Sequence, residues 1–220
     1  MTVDVRRADD RFVTEAGDKR TLHSFSYGVH YDADNVGFGA LRAINVEQLA
    51  PGAGYEPHRH SDVEIVTWVL EGALRHTDSA GGGGVIRPGT AQRLSAGDGA
   101  EHSEVNASDT EPLTFVQMML VSDRQGAPEY AGVDVDPTVD WQPTVTVHAP
   151  AALFVARPQP GRPITVPAAP RSLVHVTRGS ALLGDTELRS GDEARLTDAG
   201  PYDLAVAAPG SEVLVWQLES

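Results

Sequence analysis

Cysteine is absent from the 220-residue chain, so disulfides and thiolate ligands are excluded. Any metal site must therefore be built from nitrogen and oxygen donors. No apolar run reaches 18 residues, which excludes a hydrophobic helix of membrane-spanning length. The opening residues, MTVDVRRADDRFV, carry basic side chains with no apolar stretch behind them, and this argues against secretion by the general route. Positive charge is scarce: 17 Lys and Arg stand against 31 Asp and Glu, a formal charge of −14. Such a field repels a polyanion. The densest basic group, Arg6, Arg7 and Arg11, is interrupted by Asp9 and Asp10, so direct nucleic-acid binding is not expected. Long stretches of 3.6-residue periodicity are missing, and so is the GxSxG pattern of an activated serine. The remaining description is a soluble globular protein, with a cytoplasmic location and no membrane contact as expectations.

What the chain does contain is short strand-like runs: LRAINVEQL, EIVTWVLEG, LTFVQMMLV, TVTVHA, ALFVAR, RSLVHVTRG and EVLVWQL. Gly- and Pro-rich clusters such as APGAG, SAGDGA and RPQPGRP separate them. Many short strands punctuated in this way read as an all-β sandwich or barrel. An internal repeat is visible. VTWVLEGAL echoes LVHVTRGSA, setting Gly72 opposite Gly179; RPGTAQRLSAG echoes RSGDEARLTDAG; LTFVQMML answers EVLVWQL. Two copies of one β-unit is the economical reading. The boundary is expected in the polar connection 122–143, giving domains 1–125 and 126–220.

The chemistry concentrates in the first copy. In HRHSDVEIVTWVLEG, His58 and His60 are one residue apart at the mouth of a strand-like run. On a strand, residues i and i+2 share a face, with backbones roughly 7 Å apart. Two rings so placed can close around one ion. His102 and Glu104, in GDGAEHSEVN, form a second i, i+2 pair. Two same-face pairs of good ligands, separated by enough chain for several antiparallel strands, point to a metal site inside a barrel. Glu64 lies an even number of residues from His60, so periodicity leaves open which glutamate points inward. His76 and Asp78 also alternate on one strand and read as a structural pair. Phe25 and Phe38 read as core, and GGGG (81–84) as a hairpin turn. In the second copy Thr165 and Pro167 fall opposite His58 and His60, no histidine occurs near GPYDL, and His175 reads as a hydrogen-bonded core residue. That copy is expected to lack metal ligands.

These motifs resemble those of cupins. Gly52, His58, His60 and Glu64 fit the first cupin motif, with Gly72 one residue late; Gly99, His102 and Asn106 fit the second, with Gly97 where proline is usual. Within cupins, the segments HSFSYGVHYDADNVGFGALRAIN, HRHSDVEIVTWVLEG and LRHTDSAGGGGVIRPGTAQRLSAGDGAEHSE resemble the pirin family in order and spacing, although Arg59 replaces the usual proline between the histidines. The resemblance implies two tandem cupin (double-stranded β-helix, or jelly-roll) barrels forming a bicupin. It implies metal ligands His58, His60, His102 and Glu104, whereas an ordinary cupin would use Glu64. The expected cofactor is one divalent transition metal per chain, iron first, with Mn, Co, Ni, Cu or Zn compatible with the donors. By resemblance to bacterial quercetin 2,3-dioxygenase-like members, the expected activity is cleavage of a flavonol with O₂, Glu104 serving as the base. A metal-dependent regulatory role through a protein partner, or a cupin reaction on another enediol or hydroxyketone, are the alternatives.

Overall fold

Alternating burial turns the sequence runs into strands. In a computed structural model, which describes residues 2–137, 140–198 and 201–219, Ala100–Asn106 buries Ala100, His102, Glu104 and Asn106 more deeply than their neighbours, the period-two signature of a strand. Val63–Glu71 is instead buried on both faces along most of its length, matching its continuous apolar run. Every regular element among the described residues is a strand except one 3-10 turn at Ala8–Asp10, and the recorded ladders between strands are antiparallel. No helix among them is long and apolar enough to cross a membrane.

The chain folds as two units. Phe12–Asp134 with Val145–Ala149 holds a seven-stranded sheet in the order Glu129–Asp134, Thr90–Ser95, Val63–Glu71, Leu113–Val121, Leu41–Leu49, Lys19–His23, Phe12–Ala16. Its companion sheet of four runs Gly54–His60, Ala100–Asn106, Leu74–Asp78, Gly83–Ile86. Buried Leu49, Val69, Leu74, Leu113 and Phe115 form one apolar cluster, and Ala43, Ile65, Leu94 and Ala100 belong to another.

The second unit repeats the plan. Its six-stranded sheet runs Thr2–Arg6, Glu193–Thr197, Arg171–Arg178, Glu212–Leu218, Ala151–Ala156, Gln142–Pro143, and its sheet of four runs Ile164–Val166, Tyr202–Ala205, Ser180–Leu183, Thr186–Arg189. Arg171–Arg178 is flanked by Glu193–Thr197 and Glu212–Leu218 just as Val63–Glu71 is flanked by Thr90–Ser95 and Leu113–Val121. The aligned glycines occupy the same turn: Gly72 and Gly179 have φ of 82° and 70°, a left-handed conformation that favours glycine. At Gly72 an added Cβ would meet Pro112 O at 2.5 Å.

The division expected at 125/126 shifts. Glu129–Asp134 pairs onto Thr90–Ser95 as an edge of the first unit, Met1–Arg11 joins the second, and the chain crosses between units again around Val145–Ala149. Glu129–Asp134 is half-buried to exposed along its length, so an edge strand of this kind carries little apolar alternation to read. Thr2–Arg6 finds its partner, Glu193–Thr197, at the other end of the chain, and local pattern gives no sign of such a pairing.

His175 is a hydrogen-bonded interior residue. Its Nδ1 lies 3.0 Å from Arg11 Nη2 and therefore accepts, since a guanidinium only donates. Arg11 also pairs with Glu193 at 2.8 Å, their side chains being 4% and 1% exposed. Burial by itself would raise the Glu193 carboxyl, but Arg11, His175 and Arg195 overcome it and hold the group at about 2. Burial pushes His175 down. In both cases the unfolded chain binds more protons, so stability rises with pH. The contribution of Glu193 is complete above its ordinary value of 4.5 and is lost as pH falls towards 2. Below 6.5 the neutral His175 adds to the loss. The Glu193 shift corresponds to on the order of 3 kcal/mol. Glu193→Gln should accordingly unfold at lower temperature than the wild type at pH 7, with a flatter dependence of the midpoint between pH 2 and 5. Equal midpoints at pH 7 would contradict this account.

Candidate metal centre

The small sheet of the first unit assembles the candidate ligands. Gly54–His60 pairs with one edge of Ala100–Asn106, setting His58 opposite His102 and His60 opposite Ala100. Leu74–Asp78 pairs with the other edge, setting Asp78 opposite His102 and His76 opposite Glu104. On the first edge the register shifts between His102 and Glu104, so that Tyr55 faces Glu104. Such a shift re-aims side chains locally and is common beside functional sites.

His58, His60 and His102 converge. Their ring centroids are 5.0, 4.4 and 5.1 Å apart, and one potential ligand atom from each lies within 4.8 Å of the others. His58 Nδ1 is 2.8 Å from the Glu56 carbonyl oxygen. A carbonyl only accepts, so Nδ1 carries the proton and Nε2 is left with a free lone pair. His102 is 2% exposed and neither ring nitrogen has a hydrogen-bond partner among the described residues. A buried imidazole with both nitrogens unpaired is costly unless something else coordinates it.

Glu104 reaches this group through His102. Its carboxylate belongs to a second compact set, His76, His102 and Glu104, which shares His102 with the first. Oε2 accepts a hydrogen bond from Gln117, while Oε1 has no partner. The structure thus gathers the three expected histidines in one set and places the expected carboxylate in an adjoining one, beside His76.

Burial dominates the electrostatics. It pushes His102 down to about 3, with further lowering from His58, His60 and His76. His60 falls to about 4, by burial and then by His58. Glu104 is pushed up to about 7 by burial, with Glu47 adding to the shift and hydrogen bonds from Gln117 and Thr67 opposing it. Neutral imidazoles beside a desolvated, half-satisfied carboxylate form a donor set that fits a transition-metal cation.

His76 forms with Asp78 the structural pair that their alternation suggests. Both it and Asp78 have fully buried side chains, 2.9 Å apart between Nε2 and Oδ2. Tyr130 stacks on the ring at 5.3 Å. That stacking depends on Gly82, where a Cβ would run into the Tyr130 ring and lie 2.8 Å from Asp78 Oδ2. The His-x-Asp alternation was the available signal, and its bland reading as a structural pair hid its position beside Glu104. Phe25 is fully buried, and neither it nor Phe38 lines the cavity that opens on the site.

Glu64 lies outside both sets. It is fully buried, and its carboxylate accepts from Ser95 Oγ at 2.7 Å, Ser122 Oγ at 2.5 Å and the His148 N–H at 3.2 Å. Arg93 Nε is 3.8 Å away. Every one of these partners holds Glu64 as an internal anchor. Glu64→Gln should destabilise the fold by about 1–3 kcal/mol, the usual cost of breaking a buried hydrogen-bonded charge, and leave metal content unchanged. Thermal unfolding and elemental analysis of the same preparation check both halves, and loss of metal without loss of stability would contradict the assignment.

With the geometry in hand, the chain can be compared with known proteins. The pirin family model matches residues 5–120. The whole chain is 44% identical, over 235 aligned residues, to a Mycobacterium bovis protein named "Putative quercetin 2,3-dioxygenase", of which it covers 96%. It is 39% identical to the quercetin 2,3-dioxygenase of Escherichia coli K12 over 127 residues, 57% of this chain and 55% of that one. The crystal structure of the bacterial pirin YhhW of Escherichia coli in complex with nickel(II) has the same fold, with a TM-score of 0.92 at 29% identity, covering 99% of each chain. A family match over more than half the sequence and a 44% identical relative along its full length lead to one conclusion: this chain belongs to the pirin family and is an all-β bicupin.

Proposed function

We propose that the chain holds one divalent transition-metal ion through His58, His60, His102 and Glu104, and that it cleaves flavonols with O₂. The observation that carries the reading is the convergence of three imidazoles, one of them, His102, with both nitrogens buried and unpaired, the other two lining a cavity of about 590 Å³ together with Glu104. That volume lies in the range of small-molecule pockets. Relatives named as quercetin 2,3-dioxygenases support the choice of substrate.

The ion would supply Lewis acidity towards the adjacent hydroxyl and carbonyl oxygens of a flavonol, and an electron-transfer partner for O₂. The protein's own part is positional and protonic. His58 and His60 line the cavity side of the site. Glu104, which lines the cavity and has one carboxylate oxygen without a hydrogen-bond partner, is the candidate base for the proton of the flavonol 3-hydroxyl. Gln117 holds the other oxygen of that carboxylate. The buried Asp78–His76 pair stands behind it.

Protein purified and reconstituted with a single metal salt should contain one ion per chain, and His102→Ala should lose most of it while remaining folded, since apolar burial rather than the ion dominates barrel stability. Loaded protein should consume O₂ with loss of flavonol absorbance. Glu104→Gln should abolish that reaction, and Glu64→Gln should keep it within about tenfold. A fully loaded protein that never consumes O₂ with any flavonol would overturn the dioxygenase reading and favour a metal-dependent role through protein contacts.

A further inference from the structure

The cavity has a second chemically distinct wall. Glu47, on Leu41–Leu49, is 3% exposed, and its Oε2 accepts from Tyr55 Oη and from Thr21 Oγ1, each at 2.6 Å. Asn45 adds a further side-chain hydrogen bond to the same carboxylate. A hydroxyl has one proton, so both protons are committed to Glu47. The two hydroxyl oxygens approach each other at 3.2 Å and line the cavity with Glu47 itself. What they can still offer a ligand is lone pairs. Tyr55 lies opposite Glu104 across the strand pair, which puts this wall next to the metal ligands.

The charges around the cavity point the same way. Among the described residues its carboxylates are Glu47, Glu56 and Glu104, and its permanently charged cation is Lys19. Lys19 donates to the Gly54 carbonyl oxygen at 2.9 Å and sits 5.3 Å from the Tyr55 ring centroid, with Asp18 3.9 Å away. A ligand bearing its own carboxylate would bring no proton to the two acceptors and would place that charge against the Glu47 carboxylate they surround.

We infer that Tyr55 and Thr21, oriented by Glu47, form an acceptor subsite for a second hydroxyl of the ligand, selecting uncharged polyhydroxylated molecules over carboxylates. The inference rests on the reading that the end of this cavity lined by His58, His60 and Glu104 receives the substrate. Tyr55 and Thr21 are specificity residues here, and Glu47 is a positioning residue that acts through them.

The test compares quercetin with 3-hydroxyflavone, which shares its hydroxyl-carbonyl pair and lacks its other hydroxyls. Binding is measured without O₂ on nickel(II)-loaded protein, by the absorbance shift of the flavonol. Wild type should prefer quercetin. Tyr55→Phe should reduce that preference on the order of five- to tenfold, the worth of one hydrogen bond, and leave 3-hydroxyflavone affinity unchanged. Thr21→Val, which keeps side-chain volume, is the second variant should Tyr55→Phe fail to fold. An unchanged preference, an equal loss for both ligands, or tighter wild-type binding of a flavonol carrying a carboxylate in place of a ring hydroxyl would overturn the subsite. O₂ uptake on the same preparations separates the two proposals. Uptake with an unchanged preference sinks the subsite alone, and a preference that shifts as expected without uptake sinks the dioxygenase reading alone.

Discussion

One strand, hydrogen-bonded along both edges, holds the candidate site together. Ala100–Asn106 lies between Gly54–His60 and Leu74–Asp78, and the period of two places His102 and Glu104 on the same face of it. Each edge then delivers a different neighbour: His58 to His102 on one side, His76 to Glu104 on the other. A slip of one residue in either ladder would send the whole set to the opposite face. The register shift after His102 adds the last adjustment by bringing Tyr55 opposite Glu104. The candidate ligands, His76 beside Glu104 and Tyr55 opposite it all follow from that one arrangement.

The electrostatic consequence is an unmet demand in the interior. His102 has two unpaired nitrogens and Glu104 one unpaired oxygen, all buried, while Glu47 lies near enough to raise Glu104 further. Buried polar atoms are ordinarily paired, and a desolvated carboxylate is costly next to another. A divalent cation would answer two of these together, by taking the lone pair of one His102 nitrogen and neutralising the carboxylate. The same unit shows the contrasting solution at Glu64, whose hydrogen bonds come entirely from the protein. Two buried glutamates of one barrel therefore differ: both oxygens of Glu64 accept hydrogen bonds, whereas Glu104 Oε1 accepts none among the described residues.

Much of this was legible in the sequence, for reasons specific to particular residues. That His58 and His60 share a face, and His102 and Glu104 another, could be read because i and i+2 on a strand point the same way; the meeting of His102 with the first pair depends on the ladder that sets it opposite His58. The internal repeat was legible because Gly72 and Gly179 occupy equivalent left-handed turns. Glu104 and Glu64 could not be separated by periodicity, since each is an even number of residues from its neighbouring histidine. What separates them is the serine hydroxyls and the backbone amide around Glu64, contributed by residues distant in sequence. The pairing of Thr2–Arg6 with Glu193–Thr197 and the Glu47–Tyr55–Thr21 cluster were hidden for the same reason. Each joins strands whose adjacency is a property of the folded sheets.

The central claim is that Glu104, rather than His76 or Glu64, completes the coordination of an ion held by His58, His60 and His102. Its most direct test is a crystal structure of the metal-loaded protein with anomalous data collected at the edge of the bound element. The account requires one anomalous peak per chain, with His58, His60 and His102 each contributing a nitrogen and Glu104 an oxygen, and with His76 still paired to Asp78. An ion seated on His76, or one bound by the three histidines with Glu104 turned away, would contradict it.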